Sequence, residues 1–211
     1  MLPALLEIAS EQSKPTEATM KKHNRSLNYA ATYPEATLRY HKSNMVLNID
    51  MDAAYLVLPG ARSRYAGYFY FSENLKNYHS FTPKMNGTIL ITCKGLKGVV
   101  CSTAETGGIF HNAQYTIPIT RILIHVLKHP QPELGTPIVT DNETSKGIIT
   151  KLIKLRKSKT WDMGYHWIED RIKKKEIQLR WKPGKYSRAD YFTKHHPPAY
   201  HKIMRPNYLL N

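Results

Sequence analysis

Leu47, Ile49 and Met51 alternate with Asn48, Asp50 and Asp52 over residues 45–52. This period of two belongs to a strand with one apolar and one polar face. A turn around Pro59-Gly60 leads into the aromatic-rich run 64–71, read as a second strand. Asn86-Gly87 is a turn signal, and 88–92 follows as a third strand. A helix is expected over 103–115, with a second helical segment over 118–127. A fourth strand at 137–141 precedes helical stretches at about 144–155 and 160–174, and a fifth strand spans 176–181. Asp190 opens a C-terminal helix. Three strands followed by helix, strand, helices, strand and helix predict a mixed five-stranded α/β sheet covered on both faces. Right-handed crossovers would set the ends of strands one and four side by side, with Asp52 next to Asp141. Sites in open α/β sheets favour such carboxyl ends.

Residues 1–42 read differently. Pro15 suits a helix N1 position, and Met20, Leu27, Ala30 and Ala31 mark one face of a helix ending near Tyr33-Pro34. His23 falls on that stripe. The segment is expected to be a helical extension that docks elsewhere, with the α/β domain spanning 45–205.

A chain of 211 residues with 41% hydrophobic content suits one domain plus an extension. Charge changes the picture more: 31 Lys+Arg against 16 Asp+Glu leave a net +15. Such a surface attracts a polyanion, and nucleic acid is the commonest one. Cys93 and Cys101 form no CxxC, so neither a disulfide framework nor a thiolate metal site is expected. They read as buried thiols of a reduced compartment. No run approaches the ~18 apolar residues of a membrane span, and the N-terminus lacks the basic region of a signal peptide. The expected location is therefore intracellular, cytoplasmic or nuclear, with no membrane partner and no secretion.

Four acids, Asp52, Glu105, Asp141 and Asp190, sit where predicted strands or helices begin or end. Carboxylates gathered from distant positions to strand ends are what hard divalent cations take as ligands. A lone acid at a strand end is more often a turn or cap residue; four in this order favour a site. Lys151, Lys154, Arg156, Lys157 and Lys159 form a basic run beside it, and Arg171, Lys173, Lys174 and Lys175 a second. A solvated face and a groove of phosphate contacts are about equally good readings of such runs. Trp161 and Tyr165 interleave with them, and Trp167 is better read as core than as a stacking platform. Asp162 and His166, four apart on a helix, read as a structural pair. His195 and His196 follow Asp190 by about a turn, as auxiliary groups able to move protons or as surface residues.

These residues in this order resemble the ribonuclease H domain of Ty1/copia-type retrotransposon polyproteins, over nearly the whole chain. The matching segments are 51–56 (Met-Asp-Ala-Ala-Tyr-Leu), 61–64 (Ala-Arg-Ser-Arg), 140–142 (Thr-Asp-Asn), 158–163 (Ser-Lys-Thr-Trp-Asp-Met) and 189–194 (Ala-Asp-Tyr-Phe-Thr-Lys). Residues 1–42 resemble the connection that follows the polymerase; the polymerase domain of such a polyprotein is then an expected partner. The resemblance implies a ribonuclease H-like three-layer fold and hydrolysis of the RNA strand of an RNA–DNA hybrid during reverse transcription, in a virus-like particle or the nucleus. It implies an acidic tetrad of Asp52, Glu105, Asp141 and Asp190 holding two Mg²⁺ ions, replaceable by Mn²⁺, about 4 Å apart. Asp52 would bridge both ions, Glu105 and Asp141 flank the one nearer the leaving group, and Asp190 the one with the attacking water.

The chain departs from that family before the first long helix. Relatives usually have Ser-Ser, two residues, then Glu-Ala-Glu, where this chain has Ser102-Thr103-Ala104-Glu105-Thr106. Anchored on the right, Glu105 is the catalytic Glu; anchored on the left, it is the preceding one, and a two-residue slip turns a helical side chain by about 200°. Uninterrupted matching after Glu105 favours the first alignment, with Ile109 buried. Asp50 stands where relatives are not acidic and inherits no role. Two other readings stay open. One is a degenerate, inactive retroelement remnant that still binds nucleic acid. The more distant one is an integrase or transposase, whose Asp-Asp-Glu triad would use Glu176, separated from Asp141 by 34 residues.

Overall fold

The computed structural model describes residues 2–73, 85–96, 101–150 and 162–209. Five strands form one mixed sheet: β1 (Val46–Leu58), β2 (Arg62–Ser72), β3 (Met85–Leu96), β4 (Thr136–Thr140) and β5 (Ile177–Trp181). Their order is β3-β2-β1-β4-β5. β1, β2 and β3 are antiparallel neighbours, while β4 lies parallel to β1 and β5 parallel to β4. The mixed five-stranded sheet with β1 and β4 side by side is as predicted, and the fold is ribonuclease H-like.

The helices are α1 (Leu2–Glu11), α2 (Glu17–Thr32), α3 (Cys101–Arg121), α4 (Glu143–Ile149), α5 (Asp162–Lys173), α6 (Asp190–Thr193) and α7 (Pro198–Met204). Alternation along β1 separates two cores. Leu47, Ile49 and Met51 are fully buried on one face with Ile109, Ala113 and Ile117 of α3, Ile138 of β4 and Ile168 of α5. Each large side chain so enclosed contributes ~1.5–3 kcal/mol. The other face carries Ala66, Tyr68 and Tyr70 of β2 against Ala189 and Phe192, with Leu2 and Tyr208 beside them. Both faces are thus covered, the second by α1, α6 and the C-terminal segment. Among the described residues no helix is long and apolar enough to cross a membrane.

Several local expectations give way to tertiary packing. Asn86-Gly87 lies inside β3, not in a turn: Gly87 has φ +61° and the β2–β3 register shifts beside it. The Asn86 side chain there bonds the backbone of His41, and Tyr40 donates its hydroxyl to the Thr88 carbonyl at 2.6 Å. The segment before β1 therefore supplies the partners that hold the irregularity. Helix α3 runs through Pro118 without the expected break, because Ile109, Ala113 and Ile117, four apart, seat it on the sheet. It ends in a π-helical turn at Ile122–Val126. The N-terminal extension is two helices. Thr16 caps α2 in a capping box with Thr19, so Pro15 stands just before the cap and not at N1. The Met20–Leu27 stripe faces solvent (59% and 54% exposed), because Thr19 and Lys22 fasten α2 to Glu11 of α1 at 2.6 and 2.7 Å.

Candidate active site

The polar face of β1 carries Asn48, Asp50, Asp52 and, diagonally across in β2, Arg64. Asp52 is 4% exposed and accepts a hydrogen bond from the Thr193 hydroxyl of α6. Thr193 also lies 3.0 Å from the Asp190 carbonyl; one hydroxyl proton serves one acceptor at a time.

Glu105 reaches the same place from the opposite layer. Gly108, one turn further along α3, lets the helix approach β1 closely: a β-carbon there would meet Met51 Cε at 2.7 Å. Asn112 fixes the rotation of α3, donating to the Ala66 carbonyl at 3.2 Å and accepting from Thr92 at 2.9 Å. With Ile109 fully buried, Glu105 is turned inward and 5% exposed. Its two oxygens accept from the Ala53 N–H at 3.1 Å and the Thr140 hydroxyl at 3.3 Å. Asp141 follows β4 directly. One ligand oxygen from each of Asp52, Glu105 and Asp141 lies within 4.8 Å of the others.

Crowding three carboxylates in a shielded site disfavours their charged forms. Burial, reinforced by Asp190 and Asp141, pushes Asp52 up to about 6. Burial, then Asp52 and Asp141, pushes Glu105 up to about 8. Burial also raises Asp141. Asp190, at the start of α6, stands just outside the trio, its carboxylate bound by Lys194. Despite partial burial, the Asp190 charge holds the Lys194 ammonium above its usual range, with Asp52 and Asp141 adding to it. An all-oxygen donor set that resists ionisation and already draws a cation fits a hard divalent metal.

Other candidates are placed elsewhere. His195 turns to Glu7 of α1, and His196 stacks on Tyr191 with centroids 5.4 Å apart; both engage the layer outside the carboxylates. Glu176 precedes β5 at the opposite end of the sheet from Asp141 and is bound by Arg121 and Arg171 at 2.7 and 2.8 Å. It cannot complete an Asp-Asp-Glu triad there. The second basic run is largely neutralised: Arg171 and Lys174 pair with Asp170, and Lys173 with Glu169. Lys151, Lys154, Arg156, Lys157, Lys159 and Trp161 lie outside the described residues, as does the Asp162 side chain; His166 is 3.5 Å from Glu169. Trp167 packs edge-on against Phe110 at the core margin. Cys93 is a free thiol.

Sequence reasoning passed over three groups. Asp50 is fully buried and paired with Lys182 at 2.6 Å, with Arg188 at 3.8 Å. Thr193 donates to Asp52 and Arg64 holds the Thr193 carbonyl, both from inside matched segments. Thr193 and Arg64 had a positional signal; Lys182, near no matched segment, had none.

No protein-family model matches the sequence, and none of the curated proteins matches it. Among solved structures, the chain is similar to the N-terminal RNase H domain of a Mycobacterium tuberculosis protein, studied as a fusion with maltose-binding protein (TM-score 0.47, 11% identity, covering 71% of this chain and 91% of that one). It is similar to LC11-RNase H1 in complex with an RNA/DNA hybrid (TM-score 0.47, 13% identity, covering 69% and 92%). It is also similar to the protease–reverse transcriptase of prototype foamy virus (TM-score 0.44, 11% identity), matching 72% of this chain and 20% of that one.

Proposed function

We propose that this chain is a metal-dependent phosphodiester hydrolase of ribonuclease H type, cutting the RNA strand of RNA–DNA hybrids in retrotransposon reverse transcription. The observation that carries the reading is the convergence of Asp52, Glu105 and Asp141, from three separate elements, to within 4.8 Å. The motif resemblance supplies the hybrid as substrate and the polymerase as neighbour, with residues 1–42 as the connection and 45–205 as the nuclease domain. The net charge of +15 suits a polyanionic substrate.

In this reading Asp52, Glu105 and Asp141 hold the cations, Mg²⁺ or Mn²⁺, with Asp190 as the fourth ligand. Bound divalent metal supplies Lewis-acid stabilisation of charge on the scissile phosphate and a water acidic enough to attack at neutral pH. The protein keeps the ligands in place beforehand. Thr193 orients Asp52, while the Ala53 N–H and Thr140 hydroxyl fix both oxygens of Glu105. Lys194, more than half exposed, holds Asp190; it would yield that carboxylate to a bound cation and keep its own charge near the phosphate backbone. Lys151, Lys154, Arg156, Lys157 and Lys159 are assigned to the phosphates flanking the cut. Glu105 turned away from the other acids would have favoured the inactive-remnant reading; its inward orientation supports the hydrolase instead.

A labelled RNA–DNA hybrid incubated with Mg²⁺ tests the proposal. Cleavage of the RNA strand alone, abolished by EDTA and by Asp52→Asn, is expected. Hybrid binding with no cleavage in Mg²⁺ or Mn²⁺ would establish the passive binding domain instead.

A further inference from the structure

Arg64 is the largest fully buried side chain among the described residues. It is two residues from Ala66, the cross-strand partner of Asp52, so its side chain leaves β2 on the same face as that carboxylate. Its guanidinium is held at two points. One terminal nitrogen donates to the Thr193 carbonyl at 3.0 Å, and the other to Glu7 Oε1 of α1 at 3.0 Å. Thr193 is itself fully buried and donates its hydroxyl to Asp52. A continuous hydrogen-bonded path therefore runs from α1 through β2 and α6 to the central acid. A charge this deep is tolerated only when paired, and Glu7 brings the paired carboxylate. The same Glu7 oxygen also engages His195, next in sequence to the Lys194 that binds Asp190. Glu7 thus holds the C-terminal end of α6, at Thr193 through Arg64 and at His195 just beyond it; α6 carries two of the site's groups.

We infer that Glu7 and Arg64 are positioning residues: α1, outside the sheet, sets the orientation of Thr193 and hence of the Asp52 carboxylate toward metal. The N-terminal extension is by this account part of the working site, and undocking α1 would switch it off. The inference rests on the reading of Asp52 as a metal ligand. A purely structural α1 would instead stabilise the second core through Leu2 and leave the acids indifferent to Glu7.

Mn²⁺ titration of the full chain without substrate, followed by spin resonance or calorimetry, separates these cases. Glu7→Ala and Thr193→Val should each weaken Mn²⁺ binding about tenfold, the scale of loss for groups that orient ligands. Combined, they should cost little more than either alone, as members of one path. Glu11→Ala, which loosens α2 from α1 without touching Arg64, should leave Mn²⁺ affinity at the parent value. On hybrid, Glu7→Ala should lower kcat with KM unchanged. Mn²⁺ affinity unmoved by Glu7→Ala overturns the inference and leaves the hydrolase reading standing, even if the melting temperature drops. Affinity that depends on Glu7 in a parent that cuts no hybrid overturns the hydrolase reading and keeps the inference. A parent that binds no Mn²⁺ overturns both.

Discussion

Gly184 lies directly against Asp141: a β-carbon at position 184 would stand 2.6 Å from the carboxylate oxygen Oδ2. The glycine opens the short turn Gly184–Tyr186 after β5, so the space in which Asp141 sits is made by a missing side chain that lies beyond α4, α5 and β5 in the sequence.

Gly184→Ala should therefore move the Asp141 carboxylate. The atom met is the free end of a side chain, so the fold should survive with a melting temperature near that of the parent. Divalent-metal affinity should fall about tenfold, measured by calorimetric titration with Mn²⁺. Undiminished affinity would show that Asp141 in its present orientation is not a metal ligand.

The metal-free protein should lose stability as pH rises from about 4 to about 8. Asp52 moves from 3.8 in the unfolded chain up to about 6, and Glu105 from 4.5 up to about 8. The folded state thus holds protons that the unfolded state has released, so unfolding is favoured by each rise in pH across that window. The loss should amount to a few kcal/mol over the pair, read as a falling melting temperature in EDTA. Asp52→Asn and Glu105→Gln should each flatten the profile and raise stability at pH 8. A strong drop in stability from Asp52→Asn at pH 8 would make Asp52 a structural residue.

Lys182→Met should destabilise the protein by about 3–5 kcal/mol, because it leaves the fully buried Asp50 without its nearest cation. Adding Asp50→Asn should recover most of that loss, since no uncompensated charge remains. Urea unfolding of both variants measures the difference. A double variant as unstable as the single one would mean that Lys182 is needed for packing.

Hybrid binding should depend steeply on salt and little on sequence. Neutralising Lys154, Arg156 and Lys157 together should flatten the slope of log K against log salt by roughly 0.7–0.9 for each phosphate that no longer meets a cation. Filter binding across a salt series reads this directly, and an unchanged slope would move the substrate face elsewhere.

What the sequence disclosed follows from the range of the interactions involved. The alternation of Leu47, Ile49 and Met51 is local, and it was enough to place β1 and the acids at its end. The order of strands and helices then set Asp141 beside Asp52. The course of α3 through Pro118 was hidden, because burial of Ile109, Ala113 and Ile117 outweighs a local breaking preference. Asn86-Gly87 misled for a similar reason: its conformation is held by His41 and Tyr40, some 45 residues earlier. The groups that orient Asp52 lie in matched segments, but their role there was hidden. Thr193 and Arg64 act through bonds spanning 141 and 129 residues, and no pattern within a window reports such a distance.

The division of labour along β1 also bears on which changes of chain length the protein can survive. Between Val46 and Asp52, successive residues alternate between the α3 core and the polar face, so one inserted residue would exchange every position beyond it. Such an insertion would drive Asp52 beneath α3 and set an apolar side chain at the mouth of the site, spoiling folding and chemistry together. Past Ala54 the pairing with β2 already slips, resuming at Leu58, and Leu56 takes a left-handed conformation with Tyr55, Leu56 and Val57 exposed. Length variation among descendants of this sequence should accordingly collect at the hairpin end, where an added residue disturbs no alternation, and be absent from the stretch between Val46 and Asp52.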